Sequence, residues 1–259
     1  LDLPAVPALL EQTVCPDLLE TLEEPDPPAI PVPPVRPVIR AVLGLPAIPV
    51  PLAAPAPQDR QDRPVRNNKI YMKFWWQSFN SAFSPEECQW LIKHGLTHQP
   101  VAATVGHGGK SVVDDHLRRS KVRWLSRTDP LLATFYDRIE CMALKANANA
   151  FGFDIAGFHE VQFTEYNAED SGTYGWHEDN NWTKNTPYDR KMSMVIQLSD
   201  KDNYTGGKLE LTHDPLPAGT FENQGDAIFF PSFNRHRVTP VKLGVRYSLV
   251  TWFIGPKFR

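Results

Sequence analysis

Apolar residues follow two different patterns on either side of about residue 67. Downstream they recur at the periods of regular secondary structure. The aromatic-rich stretch 70–79 predicts a strand. Ser84 is followed by Pro85 at the first helical position and by Glu87 three residues on, a capping box that predicts a helix start. Stretches 100–105 and 121–125 read as extended. Asp129 and Pro130 open a longer helix in which Leu131, Phe135, Ile139, Met142 and Ala146 recur at spacings of four and three, giving an apolar face that packs on a sheet. From His159 the pattern changes to short runs, predicting strands at 159–166, 173–177, 191–198, 208–212, 227–231, 237–241 and 245–254. Their separators, Asp170-Ser171-Gly172, Thr205-Gly206-Gly207 and Asn223-Gln224-Gly225-Asp226, are turn chemistry. Two helices followed by strands at this spacing predict a mostly β, α+β domain over 67–259: a double-sheet jelly roll with helices outside one sheet.

Upstream, Val, Ile, Leu and Ala alternate with proline. Sixteen of the 25 prolines lie at or before Pro64, so residues 1–66 read as a separate Pro-rich arm. Proline cannot donate to a sheet ladder and breaks helix interiors, which leaves extended or polyproline-like backbone. Only 17–24, with Pro16 at its start, reads as locally helical. An apolar extended segment usually lies along something. The arm is expected to strap its own domain, to stay disordered, or to dock a homo-oligomer or larger assembly.

Composition narrows the partners. A net charge of -3 and a pI near 6.3 give no basic footprint, so nucleic acid is disfavoured. No apolar run is long enough to span a membrane, and the first residues lack the charged region of a secretory signal. Cys15, Cys88 and Cys141 fit neither a disulfide framework nor a zinc motif. Free or buried thiols in a reducing, cytoplasmic compartment are expected, within a larger particle if the arm docks there.

The candidate chemistry starts at Gly175-Trp176-His177-Glu178-Asp179. On a strand, His177 and Asp179 share a face. They are two thirds of the two-His, one-carboxylate triad that holds non-haem Fe(II) with open positions. With eight histidines in the chain, about half an HxD is expected by chance, so the motif needs support. His236 is one source. It sits between Arg235 and Arg237, where a charged ring is penalised and a neutral, metal-binding ring is reasonable. Arg246 and Ser248 share a strand face and can bind the far carboxylate of a dicarboxylate such as 2-oxoglutarate. Gln162, Thr164 and Tyr166 form a polar stripe that suits a wet cavity. Taken singly, a surface histidine in a basic turn and a solvated or ion-paired arginine are the better readings of His236 and Arg246, and a sheet face turned to water explains the polar stripe equally well.

Together they carry a resemblance. His177-x-Asp179, GGKLEL from Gly206, GDAIFF from Gly225, His236, VTPV from Val238 and GVRYSL from Gly244 resemble the 2-oxoglutarate and Fe(II)-dependent oxygenases of the prolyl 4-hydroxylase-like group. The resemblance covers roughly 74–255 and leaves the arm outside. It implies a double-stranded β-helix, another name for the jelly roll. It implies His177, Asp179 and His236 as iron ligands, and Arg246 as receptor for the 2-oxoglutarate tail with Ser248 and Tyr166 assisting. O2 would be the co-substrate, and the activity hydroxylation of an unactivated C–H bond, first of all in a prolyl residue of a peptide or protein, the arm's own prolines included. Collagen-type relatives commonly carry Lys where this chain has Arg246. The loop 180–190, with Trp182 and Tyr188, either covers the substrate or simply connects strands. The competing reading is an assembly protein, for example of a phage particle, that keeps the oxygenase fold and docks through its arm.

Overall fold

The computed structural model describes residues 72–107, 110–180, 182 and 185–259. The arm over 1–66 and the start of the strand expected at 70–79 lie outside the described residues. The first half runs β1 (Gln77–Phe79), α1 (Pro85–Leu96), β2 (Val101–Ala102), β3 (Val105–His107), β4 (Lys110–Val112), β5 (Arg118–Arg119), β6 (Lys121–Leu125) and α2 (Ala133–Ala146). The second half is β7 (Gly157–Phe158), β8 (Val161–Asn167), β9 (Thr173–His177), β10 (Tyr188–Gln197), β11 (Tyr204–Gly206), β12 (Leu209–Leu211), β13 (Ala227–Pro231), β14 (His236–Val238) and β15 (Val241–Pro256).

Both predicted helices form, for the expected reasons. Ser84 Oγ accepts from the Glu87 amide at 3.2 Å, and Glu87 Oε2 accepts from the Ser84 amide at 2.6 Å, closing the capping box of α1. The other Glu87 oxygen accepts from Arg138 of α2 at 2.8 Å, tying the helices together. Asp129 caps a 3-10 turn at Pro130–Leu132, and the α-helix begins only after it. That tighter turn rotates Leu131 out of the apolar stripe, leaving it exposed while Phe135, Ile139, Met142 and Ala146 are buried as predicted.

The strands make two main antiparallel sheets. The larger has the order β1-β13-β10-β15-β8-β6-β2, with β7 and β11 also pairing with β15. The smaller has the order β12-β14-β9-β5, and β3 with β4 forms a separate hairpin. The strands expected at 237–241 and 245–254 are instead β14 and one 16-residue strand, β15. Its start pairs with β11, and the rest runs between β10 and β8. Period-two alternation assigns the large sheet's faces. Phe163, Met192, Met194, Ile196, Phe229, Leu249 and Phe253 pack with the helices in the main core. Gln162, Thr164, Tyr166, Ser193, Arg246 and Ser248 alternate with these; they too are buried, on the face that meets the small sheet.

Among the described residues no helix is long and apolar enough to cross a membrane. Cys88 is a free, buried thiol, and Cys15 lies outside the described residues.

Candidate active site

The register of the strands brings the chemistry together. On the small sheet, β14 pairs antiparallel with β9 so that His236 faces His177 directly, with ring centroids 4.2 Å apart. Asp179 lies just past the end of β9. Its amide donates to the Ser232 carbonyl at 2.8 Å, and the Asn180 amide donates to the same oxygen at 3.1 Å. Asp179 Oδ1 is 3.6 Å from His177 Nε2, and Oδ2 is 3.5 Å from His236 Nε2. The three residues offer ligand atoms within 4.8 Å of one another.

Hydrogen bonds behind these groups set their orientation. His177 Nδ1 is 2.9 Å from the Gly175 carbonyl and His236 Nδ1 is 2.9 Å from the Asn234 carbonyl. A carbonyl can only accept, so each Nδ1 carries the proton and each Nε2 presents its lone pair toward Asp179. Ser193 donates to Asp179 Oδ2 at 2.7 Å and lies 2.9 Å from the Ser232 hydroxyl. Burial is the largest influence on Asp179 and opposes its charge, but His236, His177 and Arg190 outweigh it and hold the carboxyl well below its ordinary range. Burial first, then His177, pushes the His236 ring down to about 4, against the pull of Asp179 and the bond to Asn234. The flanking arginines, which the sequence offered as the reason for a neutral ring, are not the cause. Arg237 turns to Glu210 at 2.6 Å, and Arg235 is exposed. At neutral pH the pair is an ionised carboxylate and a neutral imidazole, the states a metal ion requires.

The triad opens onto a cavity of about 480 Å³ that Tyr166, Arg246 and Ser248 also line. On the large sheet Arg246 pairs with Tyr166, and Ser248 lies between Thr164 and Gln197. The polar stripe of β8 thus faces the interior and not solvent. Arg246 is only 2% exposed, and among the described residues no carboxylate pairs with it. Its Nη1 donates weakly to Ser248 Oγ at 3.4 Å, and its guanidinium carbon is 5.7 Å from the Tyr166 ring centroid. A Cβ on Gly207 would lie 2.9 Å from Arg246 Cδ, so the second glycine of GGKLEL clears room for this side chain. Burial raises the pKa of Tyr166 against the pull of Arg118 and Arg246, keeping its hydroxyl a donor.

Residues 161–254 match the family model described as the 2OG-Fe(II) oxygenase superfamily. The similarity to that superfamily lies in these residues, which hold β8 to β14 and most of β15. A PKHD-type hydroxylase from Synechococcus sp. (strain CC9605) is 38% identical over 81 residues, 31% of this chain and 36% of the relative. The chain thus spans little more than a third of that curated relative. Two solved structures share the fold. The viral collagen prolyl hydroxylase of Paramecium Bursaria Chlorella virus-1, in complex with 2OG, superposes with a TM-score of 0.53 at 15% identity, covering 70% of this chain and 97% of that one. A prolyl hydroxylase from Trichoplax adhaerens, in complex with a peptide fragment of the hypoxia inducible factor oxygen degradation domain, gives 0.51 at 16% identity, covering 69% and 83%. The double-stranded β-helix expected from the sequence is therefore the observed fold.

The cavity has walls that sequence reasoning missed. The Arg190 guanidinium lies 3.8 Å from the Trp252 ring centroid, and Trp124 and His159 line the same space, as does Tyr188, which the sequence had offered as a substrate cover. Tyr174 stacks on His177 with centroids 3.5 Å apart. Ser193 had left a signal in the sequence: it alternates with Met192 and Met194, which puts a hydroxyl on the polar face of an apolar strand. Arg190 left none, because its role depends on the opposite strand. Tyr188 and Arg190 belong to β10, so the expected loop is shorter than 180–190; Trp182 within it lines the cavity and donates to Glu178 at 2.9 Å.

Proposed function

We propose that this protein is a 2-oxoglutarate- and Fe(II)-dependent hydroxylase of a prolyl residue in a peptide or protein, with His177, Asp179 and His236 as the iron ligands. The observation that carries the reading is Arg246, a buried guanidinium without a carboxylate partner among the described residues, on the same cavity as three convergent donors. An unpaired buried charge is costly, and a ligand carboxylate would relieve it. Two imidazole nitrogens and one carboxylate oxygen on one side of an open cavity suit Fe(II). Bound there, Fe(II), 2-oxoglutarate and O2 supply the oxidising chemistry that turns C–H into C–OH.

The chain's own residues do the rest. The backbone carbonyls of Gly175 and Asn234 keep both rings turned inward, and Ser193 steadies the carboxylate. Arg246 takes the far carboxylate of 2-oxoglutarate, with Ser248 and Tyr166 as further hydrogen-bonding groups. Trp252, Trp124 and Tyr188 give the cavity flat apolar walls that fit a prolyl ring, and Arg190 can donate to a peptide carbonyl. The peptide-bound Trichoplax structure supports a peptide substrate. Protein supplied with Fe(II) is expected to convert 2-oxoglutarate to succinate and CO2, and His177→Ala to abolish this with its circular dichroism spectrum unchanged. Wild-type protein that neither binds nor turns over 2-oxoglutarate would end the proposal.

A further inference from the structure

A second group of donors lies on the helix side of the large sheet. His94 in the last turn of α1, His98 just past its end and Asp129 at the cap preceding α2 offer ligand atoms within 4.8 Å of one another. His94 is 3% exposed, with its ring stacked on Trp90 at 4.9 Å. Its Nε2 is 2.9 Å from Asp129 Oδ2, and its buried Nδ1 makes no hydrogen bond. Two donors each about 2 Å from one tetrahedral ion sit about 3.3 Å apart, so a pair 2.9 Å apart needs only a small widening to share an ion. Asp129 Oδ1 is occupied by the Leu131 amide at 2.9 Å, so Oδ2 is the free oxygen. His98 Nδ1 is 3.1 Å from the His94 carbonyl, an acceptor, which makes Nε2 the lone-pair nitrogen of that ring. Burial holds His94 on the neutral side of its range despite Asp129.

We propose that His94, His98 and Asp129 form a second divalent-cation site that takes Zn2+, completed by water, and fastens the end of α1 to the start of α2. Two imidazoles, a carboxylate and a solvent position match the four-coordinate preference of zinc. The site lies across the large sheet from the catalytic cavity and shares no residue with it, so its role is structural. Full-length protein stripped of metal is titrated with Zn2+ by calorimetry, and its melting temperature is followed. Wild-type protein should take up one equivalent more than either His98→Ala or Asp129→Asn, with affinity at this site falling about 100-fold or more in each variant. Asparagine keeps the cap, so the second variant separates zinc binding from folding. His177→Ala should retain this equivalent and its zinc-induced rise in melting temperature. If both variants bind and respond to zinc as the wild type does, or if His177→Ala removes all tight zinc, the proposal is overturned.

Discussion

Single side chains set opposing demands in this molecule. Arg246 is held ready for an anion at a cost to the ligand-free fold. Arg246→Met should therefore stabilise the ligand-free protein, by about 1 to 4 kcal/mol, while abolishing 2-oxoglutarate binding. Calorimetric melting with and without 2-oxoglutarate checks both halves; a variant less stable than wild type would show that the guanidinium is already satisfied. His236 makes the pH dependence specific. Its ring titrates at about 4 in the folded chain, against about 6.5 when unfolded. Between those values the unfolded chain binds a proton that the folded chain does not, so metal-free stability should fall as pH drops from about 6.5 to about 4, and this contribution should then level off. Urea midpoints across that range should show the slope in wild type and a shallower one in His236→Gln.

At the scale of elements, packing overrides propensity. Gly95 lies inside α1, where Gly→Ala ordinarily gains about 1 kcal/mol. A Cβ there would come 2.5 Å from the Phe163 ring, itself fully buried in the main core. Gly95→Ala should instead destabilise by about 1 to 3 kcal/mol, because the helix must lift from the sheet. Denaturant unfolding decides the sign. The capping box of α1 and the HxD at the end of β9 were legible beforehand, since both depend on neighbours in sequence. The 3-10 turn ahead of α2, and β5, β7 and β11, were not. Their few residues carry too little periodicity, and they exist because a longer partner strand offers its edge.

For the whole molecule, the division into arm and oxygenase domain remains our proposal, resting on composition: proline dominates up to Pro64 and alternating strands dominate afterwards. A chain beginning at residue 67 should retain 2-oxoglutarate turnover, measured as succinate formed. If the arm is also a substrate, arm peptides from full-length protein incubated with Fe(II) and 2-oxoglutarate should be heavier by one oxygen atom. Unmodified peptides would exclude that role while leaving the hydroxylase reading intact.

Local order alone determined the jelly-roll class, the two helices, the HxD pair and the shared faces of Arg246 with Ser248 and of Gln162 with Tyr166. Each follows from spacing over a few residues, because backbone geometry fixes which side chains point together. Tertiary structure decided that His236 faces His177, that Ser193 braces Asp179, that Arg190 lies over Trp252 and that His94 meets Asp129. Each of these pairs joins different segments of the chain, and only strand register and helix packing bring them within reach. Burial, which no local pattern states, is what turns them into chemistry: it keeps His236 neutral and leaves Arg246 in want of an anion.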